Sequence, residues 1–376
     1  MGRVNQTLRI RFFAHSWISD WNHGNAHFLR GLARELVGMG HEVRCYEEIG
    51  AWSLSNLIRE GEAGQRAIDG FRATYPELDV RFYRRDESLP AFLNHELGGA
   101  DLVLIHEWSE PDVVHEILAR KQRLGFRALF HDTHHRAYSN AGQILRFQLH
   151  LFDGVLAFGE AIRRIYRDGF GVAQVWTFHE AADVSVFHPM ERAKQNDVVW
   201  IGNWGDEERT QELMEFLVST GQQLTAAQRR VLVHGVRYPA EAMQTLREAG
   251  IDYEGYLPNL GAPDVYARSR LALHVPRRQY ANGLSGVPTI RVFEVLACGV
   301  PLVCAPWTDT EELFRPGRDY ALAHDGEEMK ALLGELLENE SARRQIAASG
   351  LETIRQHHTC RHRAEQLMEI FGEIRR

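Results

Sequence analysis

The sequence predicts an α/β protein with two parallel sheets, each covered by helices. Short apolar strands alternate with helical segments along most of the 376 residues, the alternation breaks once, and it then restarts. A chain of this length exceeds most single cores, so two domains are expected. The break lies at residues 180–196, where Pro189 and a polar run indicate a linker.

The first half begins with a strand predicted at residues 10–14 and a helix at 25–38. Helical segments follow at 54–74, 111–124, 142–151 and 160–168. Further strands are predicted at 42–46, 79–83, 102–105, 128–130, 154–158 and 174–178. Such alternation is typical of strands joined by crossover helices.

The second half repeats the pattern from residue 197. Strands are predicted at 198–201, 231–233 and 271–275, with helices at 206–219 and 240–249. Residues 289–305 then predict a helix that ends at Gly299 and leads into an apolar strand. Three amphipathic helices are predicted at 327–338, 341–356 and 361–374.

Composition excludes several classes of protein. The net charge of −8 disfavours a polyanion-binding surface, so nucleic acid is the least expected partner. The N-terminal strand contains arginines rather than the apolar core of a signal peptide, and no stretch predicts a membrane span, so a cytoplasmic location is expected. Four scattered cysteines without a CxxC motif predict neither a zinc ribbon nor a disulfide framework.

The helix predicted from Thr289 is the most informative motif. Its first turn follows a strand and a proline, and free N–H groups at such a helix start bind phosphate. Arg291 adds a positive charge, and Glu294 lies one turn further, where a carboxylate accepts hydrogen bonds from ribose hydroxyls. The alternative is a buried helix with one solvated glutamate.

A second candidate site follows the strand at 128–130. His131 and Asp132 are suited to assist an acceptor nucleophile or to bind a sugar, with His134 beside them. Structural hydrogen bonding in the loop is one alternative. A metal site is another, but adjacent His134 and His135 usually point in different directions, so no metal is expected.

The loop after the first strand carries a third set. Gly24 and Asn25 are placed to bring helix N–H groups close to a phosphate or sugar, although no dinucleotide fingerprint is present. Trp17, Trp21 and His27 are candidates for stacking on an acceptor ring. Packing beneath the loop is the alternative for these three side chains.

Two sequence motifs carry a family resemblance. The run from Arg291 to Val303 is similar to an FE-x-x-ACG-x-P-L-V signature, and residues 40–43 are similar to a GHEV motif that follows the first helix. Together with the closing helices, they resemble the group 1 glycosyltransferases of the GT-B architecture, and within them the CgeB-like branch. The resemblance spans nearly the whole chain.

The resemblance implies two Rossmann-like domains that face each other across a cleft. Residues 1–185 would hold the acceptor, residues 186–358 the nucleotide-sugar donor, and residues 359–376 a helix that crosses back to the N-terminal domain. A sugar would pass from a nucleoside diphosphate to an acceptor, with retention of configuration and without metal or other cofactor. The absence of an Asp-x-Asp motif agrees with metal independence.

The implied acceptor is a small metabolite, a polysaccharide, a protein or a modified nucleobase, and the protein is expected to be a monomer or homodimer. One alternative is a weakly active or non-catalytic sugar-nucleotide-binding protein. Another is an epimerase or phosphorylase that shares the architecture.

With this resemblance, donor contacts are expected from both halves of the chain. They are Gly24, Asn25, Gly202, Asn203, Trp204, Arg209, His234, Tyr256, Leu257, Arg277, Arg278, Thr289, Ile290, Arg291 and Glu294. For Gly202 and Asn203 the alternative is an ordinary turn at a strand end, and for Arg277 and Arg278 a solvated loop pair. Catalytic roles are expected for His131, Asp132 and Glu294.

The sequence departs from the family pattern at two places. Relatives usually carry a glutamate eight positions before the one at Glu294, whereas this chain has Gly286. Relatives also tend to place an arginine and a lysine after the first strand of the second domain, where this chain has acids before Arg209. Because a departing diphosphate needs positive charge, Arg277, Arg278 and Arg291 are expected to supply it.

Overall fold

The computed structural model describes residues 7–205 and 207–375 and divides the chain into two compact units. Unit 1 comprises the described residues up to Glu180 together with those from Cys360 onward. Unit 2 comprises Ala181–Thr359.

Unit 1 contains a seven-stranded parallel sheet. Its strands are β1 (Arg9–Phe13), β2 (Glu42–Glu48), β3 (Asp79–Tyr83), β4 (Leu102–His106), β5 (Arg127–His131), β6 (Gly154–Ala157) and β7 (Val175–Thr177). Their order is β3-β2-β1-β4-β5-β6-β7, so the direction of winding reverses between β1 and β4. Every residue of β4 is buried, as expected for a strand covered on both faces.

Eight helices connect these strands. They are α1 (Ala26–Gly38), α2 (Trp52–Arg59), α3 (Glu62–Thr74), α4 (Leu89–Glu96), α5 (Pro111–Leu124), α6 (Arg136–Ser139), α7 (Ala141–Leu145) and α8 (Glu160–Arg164). A 3-10 turn at Leu149–Leu151 and π-helical residues Ile165–Gly169 complete the unit's connections. The local signals are clear in α5, which begins at a proline and ends at Gly125 with φ +79°.

Unit 2 contains a six-stranded parallel sheet. Its strands are β8 (Asn196–Ile201), β9 (Val231–His234), β10 (Asp252–Tyr253), β11 (Ser269–His274), β12 (Leu302–Cys304) and β13 (Ala321–Leu322). Their order is β10-β9-β8-β11-β12-β13, and the winding reverses between β8 and β11. Ligands of such sheets bind beyond the carboxyl ends of the strands at the point of reversal.

The helices of unit 2 are α9 (Thr210–Leu213), α10 (Thr220–Ala226), α11 (Ala240–Glu248), α12 (Ala262–Ala267), α13 (Ile290–Ala297), α14 (Gly326–Glu338) and α15 (Glu340–His357). Met214–Ser219 and Gln279–Gly283 are π-helical, and Asn259–Gly261 forms a 3-10 turn. One apolar core joins Leu213 and Leu246 to Met329 and Leu333.

The last helix, α16 (Cys360–Ile374), belongs to unit 1. Gln366 Nε2 donates to the Thr177 carbonyl at 2.8 Å, and Trp176 Nε1 donates to Glu373 Oε2 at 2.9 Å. Its packing partner in the same unit is α1. Unit 1 is therefore built from two separate segments of the chain.

The predicted α/β fold class is confirmed, with differences in individual elements. The predicted helix at 142–151 is wrong in extent, because α7 ends at Leu145 and a separate 3-10 turn follows. The helix predicted from residue 206 begins at Thr210, and position 206 itself lies outside the described residues. Helices α4, α6, α10 and α12 were not predicted. None of the described helices is long and apolar enough to cross a membrane.

Candidate functional site

Basic side chains gather where the sheet of unit 2 reverses its winding. Arg209 donates to the Val275 carbonyl at 3.1 Å and to Asn203 Oδ1 at 2.7 Å, so it ties the end of β8 to the end of β11. Arg277 Nη2 contacts the same Oδ1 at 3.4 Å. The structure thus brings three of the predicted donor residues together.

Acidic residues pair with Arg277 and with the neighbouring Arg278. Arg277 forms an ion pair with Glu208, and Arg278 Nε lies 2.7 Å from Glu212 Oε1. The sequence places acids directly before Arg209. In the structure one of them, Glu208, pairs with Arg277. A diphosphate that reached Arg277 would therefore compete with the Glu208 carboxylate.

The backbone at this edge approaches closely between two glycines. A Cβ at Gly235 would lie 1.9 Å from the carbonyl oxygen of Gly202, and a Cβ at Gly202 would lie 2.7 Å from the Trp200 ring. The Tyr238 hydroxyl donates to that Gly202 carbonyl at 2.9 Å. Gly202 is thus required by packing, which agrees with the alternative of a structural turn and leaves its donor contact a prediction.

The start of α13 differs from the prediction for Thr289. Thr289 precedes the helix rather than standing in its first turn, and its backbone is extended with φ −82° and ψ 161°. Its hydroxyl bonds to His274 Nε2 at 2.7 Å, so it does not cap the helix. Burial, together with Arg209 and Arg291, lowers the pKa of His274 to about 3, so this imidazole is neutral.

Glu294 is fully buried and makes two side-chain contacts through Oε2. The Tyr266 hydroxyl lies 3.3 Å away, and Arg291 forms an ion pair with the same oxygen. Arg291, which is predicted to add a positive charge at the start of α13, is therefore paired with Glu294 in this structure. Burial and the Glu294 charge raise the pKa of Tyr266.

Of the other predicted donor residues of unit 2, Trp204 follows β8, His234 ends β9, Tyr256 and Leu257 follow β10, and Ile290 begins α13. His234 is buried, with Nε2 3.5 Å from Glu254 Oε2, and burial lowers its pKa. Tyr256 and Leu257 are half-buried, whereas Trp204 and Ile290 are buried.

The local structure at position 286 favours glycine. Its φ of +90° is in the region that favours glycine, and a Cβ there would lie 2.6 Å from Thr310 Oγ1. The same Cβ would lie 2.9 Å from Glu311 Cγ and 3.2 Å from Glu311 Oε1. A glutamate at position 286 would thus be strained in this loop, and the Glu311 side chain occupies the space that its Cβ needs.

In unit 1, the loop after β1 is held by a buried acid that the sequence did not single out. Glu47 Oε2 accepts the backbone N–H groups of Trp17 and Ile18 at 2.7 and 2.8 Å. Burial raises the pKa of Glu47 to about 7. Arg30 also donates to the Trp17 carbonyl at 2.8 Å. Two side chains from outside the loop therefore fix its path.

The predicted ring contacts of this loop divide into two groups. Trp17 and His27 are fully buried, so their rings support the loop and offer no surface to an acceptor; this corrects their assignment. Trp21 is half-buried and donates from Nε1 to Glu60 Oε1 at 2.8 Å. Asn25 Nδ2 contacts the Thr133 carbonyl at 3.4 Å, next to half-buried Gly24, which brings the loop to the end of β5.

His131 is the last residue of β5, Asp132 follows it, and both side chains are buried. Burial lowers the pKa of His131 to about 3, and neither ring nitrogen has a hydrogen-bond partner among the described residues. Asp132 Oδ2 accepts the Tyr166 hydroxyl at 2.5 Å, and Oδ1 accepts the His134 N–H at 2.9 Å. Burial and then the Glu107 charge raise the pKa of Asp132. Both carboxylate oxygens thus have structural partners.

The pair of Glu107 and Arg136 was missed by sequence reasoning. Arg136 Nε donates to Glu107 Oε2 at 3.0 Å, and the guanidinium carbon lies 3.8 Å from the centroid of the Trp108 ring. Glu107 also accepts the Thr133 N–H at 2.7 Å. The pair connects the end of β4 to the loop after β5.

The expectation that His134 and His135 point apart is wrong, because their ring centroids lie 3.9 Å apart. His134 also contacts Trp108, with centroids 5.2 Å apart. Even so, the described residues contain no group of three or more His, Cys, Asp or Glu side chains arranged to hold a metal ion.

Three further histidines meet where the sheet of unit 1 reverses its winding. The rings of His15 and His23 lie 4.2 Å apart, and each lies within 6 Å of His106 at the end of β4. Burial is the largest cause that lowers all three pKa values, to about 3 for His15. A partial signal existed in the sequence, since His15 and His106 each come directly after a predicted strand and His23 lies in the loop after the first of these strands.

Comparison with known proteins supports the resemblance to glycosyltransferases that the sequence motifs indicate. Residues 209–369 match a family model described as glycosyl transferase-like. The chain has the GT-B fold, and its residues 209–369 are glycosyltransferase-like in sequence. No curated protein matches the sequence.

Solved glycosyltransferases match nearly the whole chain. Sucrose-phosphate synthase from Thermosynechococcus elongatus is 12% identical, with a TM-score of 0.68, over 98% of this chain and 99% of that one. HepE from Anabaena in complex with UDP-glucose is 13% identical, with a TM-score of 0.68, over 97% and 100%. An alpha-glucosyltransferase in complex with UDP and DNA is 11% identical, with a TM-score of 0.67, over 97% and 100%.

The family match begins at Arg209 and includes Arg277, Gly286 and Glu294. It leaves out β8 and all of unit 1 before α16. The fold likeness covers both units, whereas the family match in sequence is confined to residues 209–369.

Proposed function

We propose that the protein transfers a sugar from a nucleoside diphosphate sugar to a hydroxyl group of an acceptor. The observation that carries this proposal is the convergence of Asn203, Arg209 and Arg277 at the winding reversal of unit 2. Two guanidinium groups around one amide oxygen suit a diphosphate leaving group, because positive charge stabilises the phosphate oxygens as the bond to the sugar breaks. Since UDP is bound to several proteins of this fold, a UDP-sugar is the first donor to test.

The ribose side of the donor involves Glu294 and Arg291. In the structure these two side chains neutralise each other. Nucleotide binding draws Arg291 toward the diphosphate and leaves Glu294 Oε2 to accept a ribose hydroxyl, with Tyr266 holding the carboxylate in place. One charge pair is thereby exchanged for two ligand contacts.

The donor sugar is contacted by Glu311. Its carboxylate stands next to Gly286, the position at which relatives usually carry an acid. An acid at this place orients the sugar through hydrogen bonds from its hydroxyl groups, since a carboxylate only accepts them.

The acceptor side uses His131 as a neutral hydrogen-bonding group. An imidazole with a pKa of about 3 is a weak base near neutral pH, and the oxygens of Asp132 are occupied. The acceptor oxygen forms its bond to the anomeric carbon as the carbon–oxygen bond to the diphosphate breaks, and the acceptor proton passes to a diphosphate oxygen. This route is that of a retaining enzyme that needs no metal.

Three narrower assignments belong to the same proposal. We assign the protein to the CgeB-like branch on the basis of the signature from Arg291 to Val303, and metal independence is supported by the lack of an Asp-x-Asp motif in the sequence. The enzyme acts in the cytoplasm, as a monomer or homodimer. Its acceptor is a small metabolite, polysaccharide, protein or modified nucleobase.

The test is a donor panel. Purified protein is titrated with UDP-, GDP-, ADP- and dTDP-sugars by calorimetry, and slow donor hydrolysis is followed in parallel with and without EDTA. We expect one nucleotide to bind and its sugar to be released in the presence of EDTA.

Two variants sharpen this test. Arg277→Gln should weaken nucleotide binding by about 10-fold or more, since a lost charged contact costs about 1.5–3 kcal/mol. Arg270→Gln is the control, because Arg270 pairs with Asp197 near the opposite end of the strand. Absence of binding and hydrolysis across the whole panel would contradict the proposal.

A further inference from the structure

Unit 2 carries a surface cavity of about 620 Å³ between the loops that follow β8 and β9. Its lining includes Trp204 and Tyr238, whose ring centroids lie 5.6 Å apart, and Met214. A volume of this size is within the usual range of small-molecule sites. The cavity therefore has room for a ligand with a ring.

This cavity lies on a different face of the sheet from Glu294. The chain winds from β8 to β9 in one direction and from β11 to β12 in the other. Because parallel crossovers are right-handed, helices α10 and α11 cover one face and α13 covers the opposite one. The cavity is bounded by α9 and α11, so it is separate from the ribose contacts proposed above.

Backbone strain is concentrated at the cavity rim. Among the described residues, six non-glycine residues have a positive φ, and two of them line this cavity: Glu207 at +70° and Arg237 at +62°. Such conformations cost free energy in residues with a side chain and persist where surrounding structure requires them, often at functional sites. The strain is a second observation, independent of the cavity's shape.

The chemistry of the lining selects a class of ligand. Aromatic rings offer an apolar surface to the C–H face of a sugar ring. The carboxylates of Glu207 and Glu241 accept hydrogen bonds and never donate them, so they suit hydroxyl groups. Two acids against the single positive charge of Arg237 also disfavour a phosphate-bearing ligand, because like charges repel.

We propose that this cavity is a second saccharide site, which binds a neutral sugar or short oligosaccharide other than the one being transferred. Trp204, predicted from the sequence to contact the donor, is its platform. The site is linked to Arg277 through the loop of residues 203–209. In this loop Trp204 and Glu207 line the cavity, while Asn203 and Glu208 contact Arg277.

The test uses saturation-transfer NMR on the intact protein with maltotriose, cellotriose and chitotriose at millimolar concentration. We expect saturation transfer to at least one trisaccharide and a loss of at least fivefold in the double variant Glu207→Gln/Glu241→Gln. Both positions are exposed, so the variant should fold as the wild type does. Gln244→Ala, an exposed change on α11 outside the cavity lining, should keep the full signal.

Three outcomes would overturn the proposal: no transfer to any trisaccharide, transfer unchanged in the double variant, or transfer abolished by excess UDP through direct competition. The measurement does not depend on the proposed transferase activity. A protein that binds trisaccharide but no nucleotide would contradict the donor proposal and leave this one intact. Nucleotide affinity measured on the double variant without sugar should equal that of the wild type.

Discussion

Glu311 occupies the space that a side chain at Gly286 would need, with its Oε1 3.2 Å and its Cγ 2.9 Å from the ideal Cβ position. The glycine and the acid belong to different segments, one after β11 and one after β12. Their juxtaposition puts the Glu311 carboxylate beside the position at which group 1 glycosyltransferases usually carry a glutamate. This adjacency is the basis of the sugar contact proposed for Glu311.

Replacing Glu311 with Gln should lower turnover about 10-fold or more and leave nucleotide affinity within about twofold. The reason is that an amide removes the charge while it keeps the size, and the proposed contact is to the sugar rather than to the nucleotide. Steady-state kinetics with the best donor, together with calorimetry on the nucleotide alone, separates the two effects. Glu312→Gln is the neighbouring control, and equal losses in both variants would rule out a specific role for Glu311.

Gly286→Glu should not restore the family arrangement. The φ of +90° strains any residue with a Cβ, and the new side chain would collide with Thr310 and Glu311. We expect a fall in the free energy of unfolding of about 1–3 kcal/mol, measured by urea denaturation. A variant with wild-type stability and higher activity would show that the loop adapts.

Replacing Glu294 with Gln should destabilise the protein strongly. The change leaves the Arg291 guanidinium without its buried counterion, and breaking one side of a buried ion pair costs about 3–5 kcal/mol. Thermal unfolding and nucleotide titration should be measured together. Tyr266→Phe removes only the 3.3 Å contact to the same oxygen and should cost about 1 kcal/mol.

A double variant tests how Glu294 acts. If the carboxylate serves the ribose as well as Arg291, then Glu294→Gln/Arg291→Met should recover stability but bind nucleotide more weakly than Arg291→Met alone, which already lacks the proposed diphosphate contact. Equal nucleotide binding by the double and the single variant would assign Glu294 a purely structural role.

Glu208→Gln should raise nucleotide affinity about three- to tenfold. In the structure this acid neutralises Arg277, so a diphosphate must displace it. The effect should shrink as salt concentration rises, because screening weakens the competition. Glu212→Gln is the matched control, since Glu212 pairs with Arg278 instead. A lower affinity in Glu208→Gln would mean that the acid positions Arg277 for the ligand.

Stability should fall as the pH is lowered below about 6.5, partly because of His131. The pKa of its ring is about 3 in the folded protein and about 6.5 in an unfolded chain. Its contribution is therefore complete above the unfolded value and is lost as the pH falls toward the folded value, by about 1.4 kcal/mol per pH unit. The test compares the pH dependence of the free energy of unfolding in wild type and His131→Asn.

The variant should show the shallower dependence between about pH 6 and pH 4.5. Exposed His150→Asn should not alter it. Equal slopes for wild type and His131→Asn would show that the ring gains protons without unfolding the chain. The readout is a slope, so a lower absolute stability of the core variant does not obscure it.

Sequence reasoning succeeded where the information is local. The apolar run of β4, the proline and glycine that bound α5, and the signature around α13 each lie within a few neighbouring residues. It failed where the decisive contact joins distant segments. The pair of Glu107 and Arg136 spans 29 residues, so no periodicity reveals it.

The candidate site shows the same limit. The sequence identified Arg209, Arg277 and Glu294 as donor residues, and their roles stay predictions. It had no means of finding that Glu208 pairs with Arg277, or that Glu311 lies beside Gly286, because both depend on which strands are adjacent. The pairing of Arg291 with Glu294 was within reach, since residues three apart face each other on a helix.

The return of α16 to unit 1 has a consequence for biosynthesis. All of unit 2 lies between the two segments of unit 1, so a ribosome synthesises the whole of Ala181–Thr359 before it reaches Cys360–Ile374. The side of unit 1 that receives α16, including the apolar face of α1, therefore stays uncovered while unit 2 is being made. A nascent chain that stalls before α16 would present this apolar face to chaperones and proteases.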